Sequence, residues 1–269
     1  MSLAVVTGAS SGIGRVVAID LARRGHHVVA AGRSQQRTQP TVDEIVTQGG
    51  TAEFLHLDLA SLASARAAAN SFEATGRTID VLVNNAGVGA TRGLTNDGFE
   101  IHFGTNHLGH FMFTHHLSRT FRTGTRIVQV SSEVHRRAQG IDFSRMRKKS
   151  RTFYGLGEYA VSKLANVLFV REMARRQRDW RLYAVHPGLT DTNIIPKIAK
   201  PLIKRSLISP EQGADTVVWC AVSEEVAEDS GLYYTSREVV VPSVEARDNQ
   251  LADQLWRHSE NWCGVTHQY

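Results

Sequence analysis

At 269 residues, 42% hydrophobic and 21% charged, the chain can bury one substantial core, and α/β folds of this length commonly stay single. Its formal charge of +5, from 31 Lys and Arg against 26 Asp and Glu, leans toward an anionic ligand; with no aromatic-interleaved basic motif, zinc finger or recognition helix, nucleic acid is not the expected partner. Cys220 and Cys263 form neither a disulfide scaffold nor a CxxC pair, no apolar run is long enough to span a bilayer, and the first strand-like run starts at Leu3 with no room for a signal peptide, so a reducing cytoplasm is expected.

Short Val/Ile/Leu-rich runs fall at residues 3–6, 27–31, 52–56, 81–84, 126–130, 181–186 and 232–234. Between them lie helical patterns at 12–24, 42–48, 61–75, 98–121, 159–178 and 210–221. This alternation predicts an α/β fold: a Rossmann-type, doubly wound, parallel seven-stranded sheet in one domain over residues 1–269. The last helix has a legible start, with Ser209 to cap it, Pro210 in its first turn and Gln212 three residues after the cap. Segments 133–158 and 189–207 break the alternation at the carboxyl edge of the sheet, where ligands of open sheets bind, so they are candidate substrate walls.

Directly after the first run comes Thr7-Gly8-Ala9-Ser10-Ser11-Gly12-Ile13-Gly14, a GxxxGxG spacing at a strand-to-helix turn. Glycines there admit positive φ and bring backbone amides up to a pyrophosphate at the positive end of a helix dipole. At the tip of the second run, Ala31-Gly32-Arg33-Ser34 has no carboxylate to repel a 2′-phosphate and offers the Arg33 guanidinium to hold one, which predicts NADP(H) rather than NAD. Arg15, beside Gly14, is expected to add to the positive field.

Asn84-Asn85-Ala86-Gly87 ends the fourth run, and Gly87 permits close approach of a dinucleotide. Asn106 falls inside the long helical pattern, a poor place for Asn unless its amide has a partner. Ser131-Ser132 ends the fifth run and sets a hydroxyl at the same edge as the glycine loop. Tyr159 and Lys163, four apart on one helix face, pair a phenol with a cation that favours its ionised form. Alone the YxxxK spacing is weak; the order and shared location of these motifs are what carry weight.

Together TGASSGIG, NNAG, NHLGHF at residues 106–111, VSS, YAVSK and HPGLTDT resemble the short-chain dehydrogenase/reductase family over nearly the whole chain. Within that family the sequence is similar to retinol dehydrogenases and WW-domain-containing oxidoreductases. The resemblance implies a tetrad of Asn106, Ser132, Tyr159 and Lys163. Ser132 would hold the substrate oxygen, Tyr159 would pass it a proton, Lys163 would bind the nicotinamide ribose and lower the phenol's pKa, and Asn106 would support a water path. It further implies Asp58 and Leu59 at the adenine, Asn85, Ala86 and Gly87 on the adenosine side, and Pro187, Gly188, Thr190 and Thr192 at the nicotinamide. Asp58 also reads simply as a cap of the following helix. Membrane-bound retinol dehydrogenases carry an apolar amino-terminal anchor that is not seen here, so the retinoid label does not transfer with the motif. Relatives are often dimers or tetramers, and the residues leave a homo-oligomer open.

His102, His107, His110, His115 and His116 share one helical pattern but lack zinc-type spacing, so no metal is expected. The basic run through Arg136, Arg137, Arg145, Arg147, Lys148, Lys149 and Arg151 reads as a solvated face, with Phe153, Tyr154 and Leu156 as the better substrate wall. The amphipathic 189–207 segment reads as a lid over a hydrophobic substrate, with peripheral membrane contact as the other reading. The reading is therefore an NADP(H)-dependent carbonyl reductase or alcohol dehydrogenase. Its rivals are a dinucleotide-sensing regulator without turnover and a C=C double-bond reductase.

Overall fold

The computed structural model describes residues 2–190 and 207–266. The expected lid, apart from its residues Leu189, Thr190 and Leu207, and Thr192 within it lie outside the described residues. Among the described residues eight strands form one sheet in the order β3-β2-β1-β4-β5-β6-β7-β8. They are β1 (Leu3–Thr7), β2 (His27–Gly32), β3 (Thr51–His56), β4 (Ile79–Asn84), β5 (Phe121–Val130), β6 (Arg181–His186), β7 (Leu232–Thr235) and β8 (Glu238–Val239). All pairings are parallel except β7 with β8, so the sheet is doubly wound with an antiparallel eighth strand where seven parallel strands were expected. The chain turns back into β8 through Ser236 and Arg237, both at positive φ. A hairpin turn of that shape is usually announced by Asn-Gly or Gly, and this one has neither.

Along β1, alternate side chains go to opposite faces, as the two-residue period of a strand demands. Leu3 and Val5 join one apolar layer, and Ala4 and Val6 the other. Helices α1 (Gly12–Arg23), α2 (Gln35–Thr47) and α6 (Pro210–Val222) cover the second layer, while α3 (Leu62–Glu73), α4 (Gly109–Leu117), α5 (Leu156–Arg176) and α7 (Asn249–Cys263) cover the first. The α6 start is a full capping box: Ser209 Oγ accepts from the Gln212 amide and Gln212 Oε1 accepts from the Ser209 amide. Helix α2 begins earlier than its sequence pattern, because Ser34 caps it by accepting from the Arg37 amide, and it carries Pro40 inside.

Two helical expectations are corrected. The single helix over 98–121 is a π-helix at Phe103–Leu108, then α4, then a 3-10 turn at Ser118–Thr120, and Phe121 already belongs to β5. Helix α7 adds a helix beyond the last one expected from the sequence. Asp248 caps it, and Trp256 stacks on Phe169 of α5 with centroids 6.0 Å apart and meets Phe111 of α4 edge-on at 5.1 Å. Among the described residues no helix is long and apolar enough to cross a membrane. Because β1 is flanked by β2 on one side and β4 on the other, the crossovers diverge there, and a crevice opens at the carboxyl ends of these strands.

Candidate active site

That crevice is a cleft of about 750 Å³ lined by Gly8, Ser10 to Gly14, Gly32 to Ser34, Arg37, Asp58, Leu59 and Asn85 to Gly87, among others. Its floor is backbone. Gly8 and Gly12 have φ of 72° and 55°, and a Cβ on Gly14 would stand 2.4 Å from both the Gly8 carbonyl oxygen and Asn85 Nδ2. Ser11 occupies the cap position of α1 without capping it through its side chain, so the first amides of α1 are left to another acceptor. Thr7, which the sequence reading passed over, ties the floor together. Its hydroxyl accepts the amides of Asn85 and Ala86, each at 3.0 Å, and pairs with His110 Nε2 at 3.0 Å. Asn85 Nδ2 returns to the Thr7 carbonyl at 2.9 Å.

Arg33 and Arg37 are both exposed on the cleft wall, and neither side chain has a carboxylate partner among the described residues. Arg37 was not singled out from the sequence; its signal is position, one turn into a helix whose cap is Ser34. Arg15 is corrected: its guanidinium pairs with Glu44 away from this cleft, so its charge is already answered. Asp58 is not the helix cap, a role taken by Ser61. Its Oδ1 accepts from the Ala60 amide at 3.0 Å while the residue lines the cleft. Glycine floor, open helix terminus and the two guanidinium groups fit the phosphates of a dinucleotide.

Gly87 joins this end of the cleft to the polar cluster beyond it, since a Cβ there would lie 3.1 Å from Asn106 Oδ1 and 3.9 Å from Lys163 Nζ. Asn106 sits in the π-helix, fully buried, and its amide is satisfied on every side: Oδ1 accepts from the Val88 amide at 2.8 Å, and Nδ2 donates to the Val88 carbonyl and to Ser162 Oγ, both at 3.0 Å. Ser132 follows β5 and lies within hydrogen-bonding reach of the Tyr159 phenol. Lys163 Nζ is 5.6 Å from the Tyr159 ring centroid and donates to the Val130 carbonyl at 3.0 Å. The four residues thus converge at the carboxyl ends of β4 and β5.

Burial dominates the electrostatics of the pair. It pushes the Tyr159 phenol up to about 12, against a smaller pull from the Ser132 hydrogen bond, and it lowers the Lys163 ammonium to about 8. The expectation that the lysine favours phenolate is therefore outweighed here by desolvation. Pro187, Gly188 and Thr190 follow β6 but do not line the cleft, and the Thr190 hydroxyl turns back to the Pro187 and Gly188 carbonyls, each at 3.3 Å.

This architecture, a parallel sheet with a glycine-floored crevice leading to a Tyr-Lys-Ser-Asn cluster, is that of an oxidoreductase built on a dinucleotide fold. The pattern that defines the short chain dehydrogenases matches residues 2–202, and the chain belongs to that family. It is related to retinol dehydrogenases: human retinol dehydrogenase 11 is 38% identical over 97% of this chain and 85% of its own. A solved structure from Mycobacterium paratuberculosis, 33% identical, superposes with a TM-score of 0.84 over 100% of this chain and 96% of its own. A short chain dehydrogenase from Burkholderia cenocepacia in complex with NADP, 27% identical, matches with a TM-score of 0.71 over 92% of this chain and 98% of its own.

Proposed function

We propose that the chain, acting as one NADP-binding domain in the cytoplasm, moves a hydride between NADP(H) and a hydrophobic ketone or aldehyde, or the corresponding alcohol. The bound nicotinamide supplies or accepts the hydride. The observation that carries the reading is the approach of the Ser132 and Tyr159 oxygens to one another with Lys163 beside the phenol ring. Two hydroxyls facing one point can hold a carbonyl oxygen and polarise it, and a phenol kept protonated by burial is ready to donate its proton as the oxygen gains charge. Reduction is the direction this protonation state serves.

Arg33 and Arg37, which have no carboxylate partner among the described residues, support a 2′-phosphate, and a relative holds NADP in its structure. Phe153 is 78% exposed and packs edge-on to Tyr154, and Leu156 is 46% exposed, a few residues before Tyr159; these apolar groups support a hydrophobic substrate. The test is a panel of ketones, aldehydes and alcohols followed by cofactor absorbance. Tyr159→Phe is expected to cut turnover by about 10²- to 10⁴-fold while NADPH binds as before. Unchanged turnover in that variant overturns the proton-donor role, and NADPH binding with no turnover across the panel favours a sensor instead.

A further inference from the structure

Behind Tyr159 lies a second polar unit that the tetrad does not include. Glu100 is 2% exposed and His102 fully buried, in the turn that opens the helix leading to Asn106. Four donors converge on the Glu100 carboxylate. The amides of His102 and Phe103 donate to Oε2, both at 2.9 Å, while Ser150 Oγ at 2.5 Å and His102 Nδ1 at 2.9 Å meet Oε1. The bond to a carboxylate assigns the hydrogen to Nδ1, which fixes the plane and the flip of the imidazole. So oriented, the ring meets the Tyr159 ring edge to face, with centroids 5.9 Å apart and planes at 74°.

Room for this contact is made in front of α5. Gly155 has φ of 69°, and a Cβ there would stand 2.4 Å from His102 Cε1 and 2.4 Å from the Thr91 carbonyl oxygen. Any side chain at 155 would push the imidazole off its seat against the Tyr159 ring. His102 Nε2, by contrast, is buried with no hydrogen-bond partner among the described residues. With Nδ1 bonded and Nε2 free of partners among the described residues, the direction of the ring is set from the Glu100 side alone.

We propose that Glu100 and His102 form a positioning pair that holds the Tyr159 ring at the angle proton transfer requires. The inference rests on the proposed role of Tyr159 as proton donor. The pair also links that ring to the 133–158 segment: besides the Ser150 bond, the Glu100 amide donates to the Met146 carbonyl at 2.7 Å, and Arg92 holds the Ser150 carbonyl at 3.0 Å.

Two complementary substitutions separate orientation from bulk. His102→Phe keeps a ring and removes the bond to Glu100; His102→Asn keeps a donor for Glu100 and removes the ring. With a carbonyl substrate turned over by the wild type, both are expected to lower kcat about tenfold or more, the cost of a small misplacement of a reacting group. NADPH affinity and KM for NADPH should stay within about twofold, and kcat is referred to the sites counted by NADPH binding, so that lost protein is not mistaken for lost alignment. Glu100→Gln, which must turn a donor toward the two amides, should fall in the same direction. A kcat within twofold of wild type for His102→Phe overturns the pair's role, as does a fall in kcat matched by loss of NADPH affinity. Tyr159→Phe, run alongside, tells the two proposals apart: if it is inactive while the His102 variants are not, only this inference fails, and if it retains full turnover, both do.

Discussion

At the glycine-loop end of the cleft, Gly8 and Gly14 act by having no side chain, and the lining is largely backbone amide and carbonyl. At the other end Asn106, Ser132, Tyr159 and Lys163 act through polar side chains taken largely out of water, each held by partners from a different element. The first end is tolerant in charge and intolerant in volume. The second is sensitive to charge as well: its geometry is held by hydrogen bonds in a low-dielectric interior, where a change of protonation is felt strongly.

The largest expected effect exploits that difference. His107 and His110, one helical turn or less from Asn106, are lowered to about 3 and about 4, chiefly by burial, with His110 adding to the shift of His107 and Lys163 adding to that of His110. Both are used as neutral rings. His110 Nδ1 donates to the Asn106 carbonyl at 3.0 Å while Nε2 faces Thr7, and His107 Nε2 meets Ser259 of α7 at 2.9 Å. Their folded pKa values lie below the unfolded one, so between pH 6.5 and about 4 the unfolded chain binds more protons, and stability must fall as pH falls through that window. Each ring is expected to cost about 3 kcal/mol by pH 4. Urea midpoints measured at pH 7, 5.5 and 4 check this, and a flat profile would show that the catalytic end is not so dry.

Legibility follows the same divide. The glycine loop could be read because its requirement is local: φ, helix start and spacing lie within eight consecutive residues, Thr7 to Gly14. Tyr159 and Lys163 were legible by spacing, and Ser132 and Asn106 by motif, but the groups packed around them were not. His102, whose ring meets Tyr159, is 57 residues away in sequence, and the Thr7–His110 contact spans 103. The π-helix at Asn106 leaves the same apolar pattern as an α-helix, and only the pairing of its amide with Val88 and Ser162 reveals the register. The turn into β8 was hidden because Ser236 and Arg237 take a conformation that glycine or asparagine usually marks.

A smaller effect tests the volume rule at the glycine loop. Gly14→Ala puts a methyl 2.4 Å from a backbone oxygen, so the loop, not a flexible side chain, must give way. NADPH affinity should fall about 100-fold, roughly 2.7 kcal/mol, while the fold survives, since the change lies at the rim of the sheet. Titration of NADPH against the variant, with a thermal melt as control, measures both. Affinity within threefold of wild type would mean that the floor is not the surface against which the pyrophosphate lies.

The smallest effect concerns charge at that same end. Arg33 is exposed, so its guanidinium works through water-screened contacts, and its removal is expected to cost about 1.5 kcal/mol of NADPH binding, or roughly tenfold, as for a charge-assisted pair. NADH lacks the 2′-phosphate and should lose less than twofold. Arg37, on the first turn of α2 beside it, offers a second cation, so Arg33→Ala alone should leave part of the preference and the double variant Arg33→Ala/Arg37→Ala should abolish it. Raising salt should narrow the NADPH-to-NADH ratio of the wild type and leave that of the double variant flat. Equal losses for the two cofactors in the single variant would mean that Arg33 answers the pyrophosphate and not the 2′-phosphate, and the selectivity would then rest on Arg37, the other guanidinium on that wall.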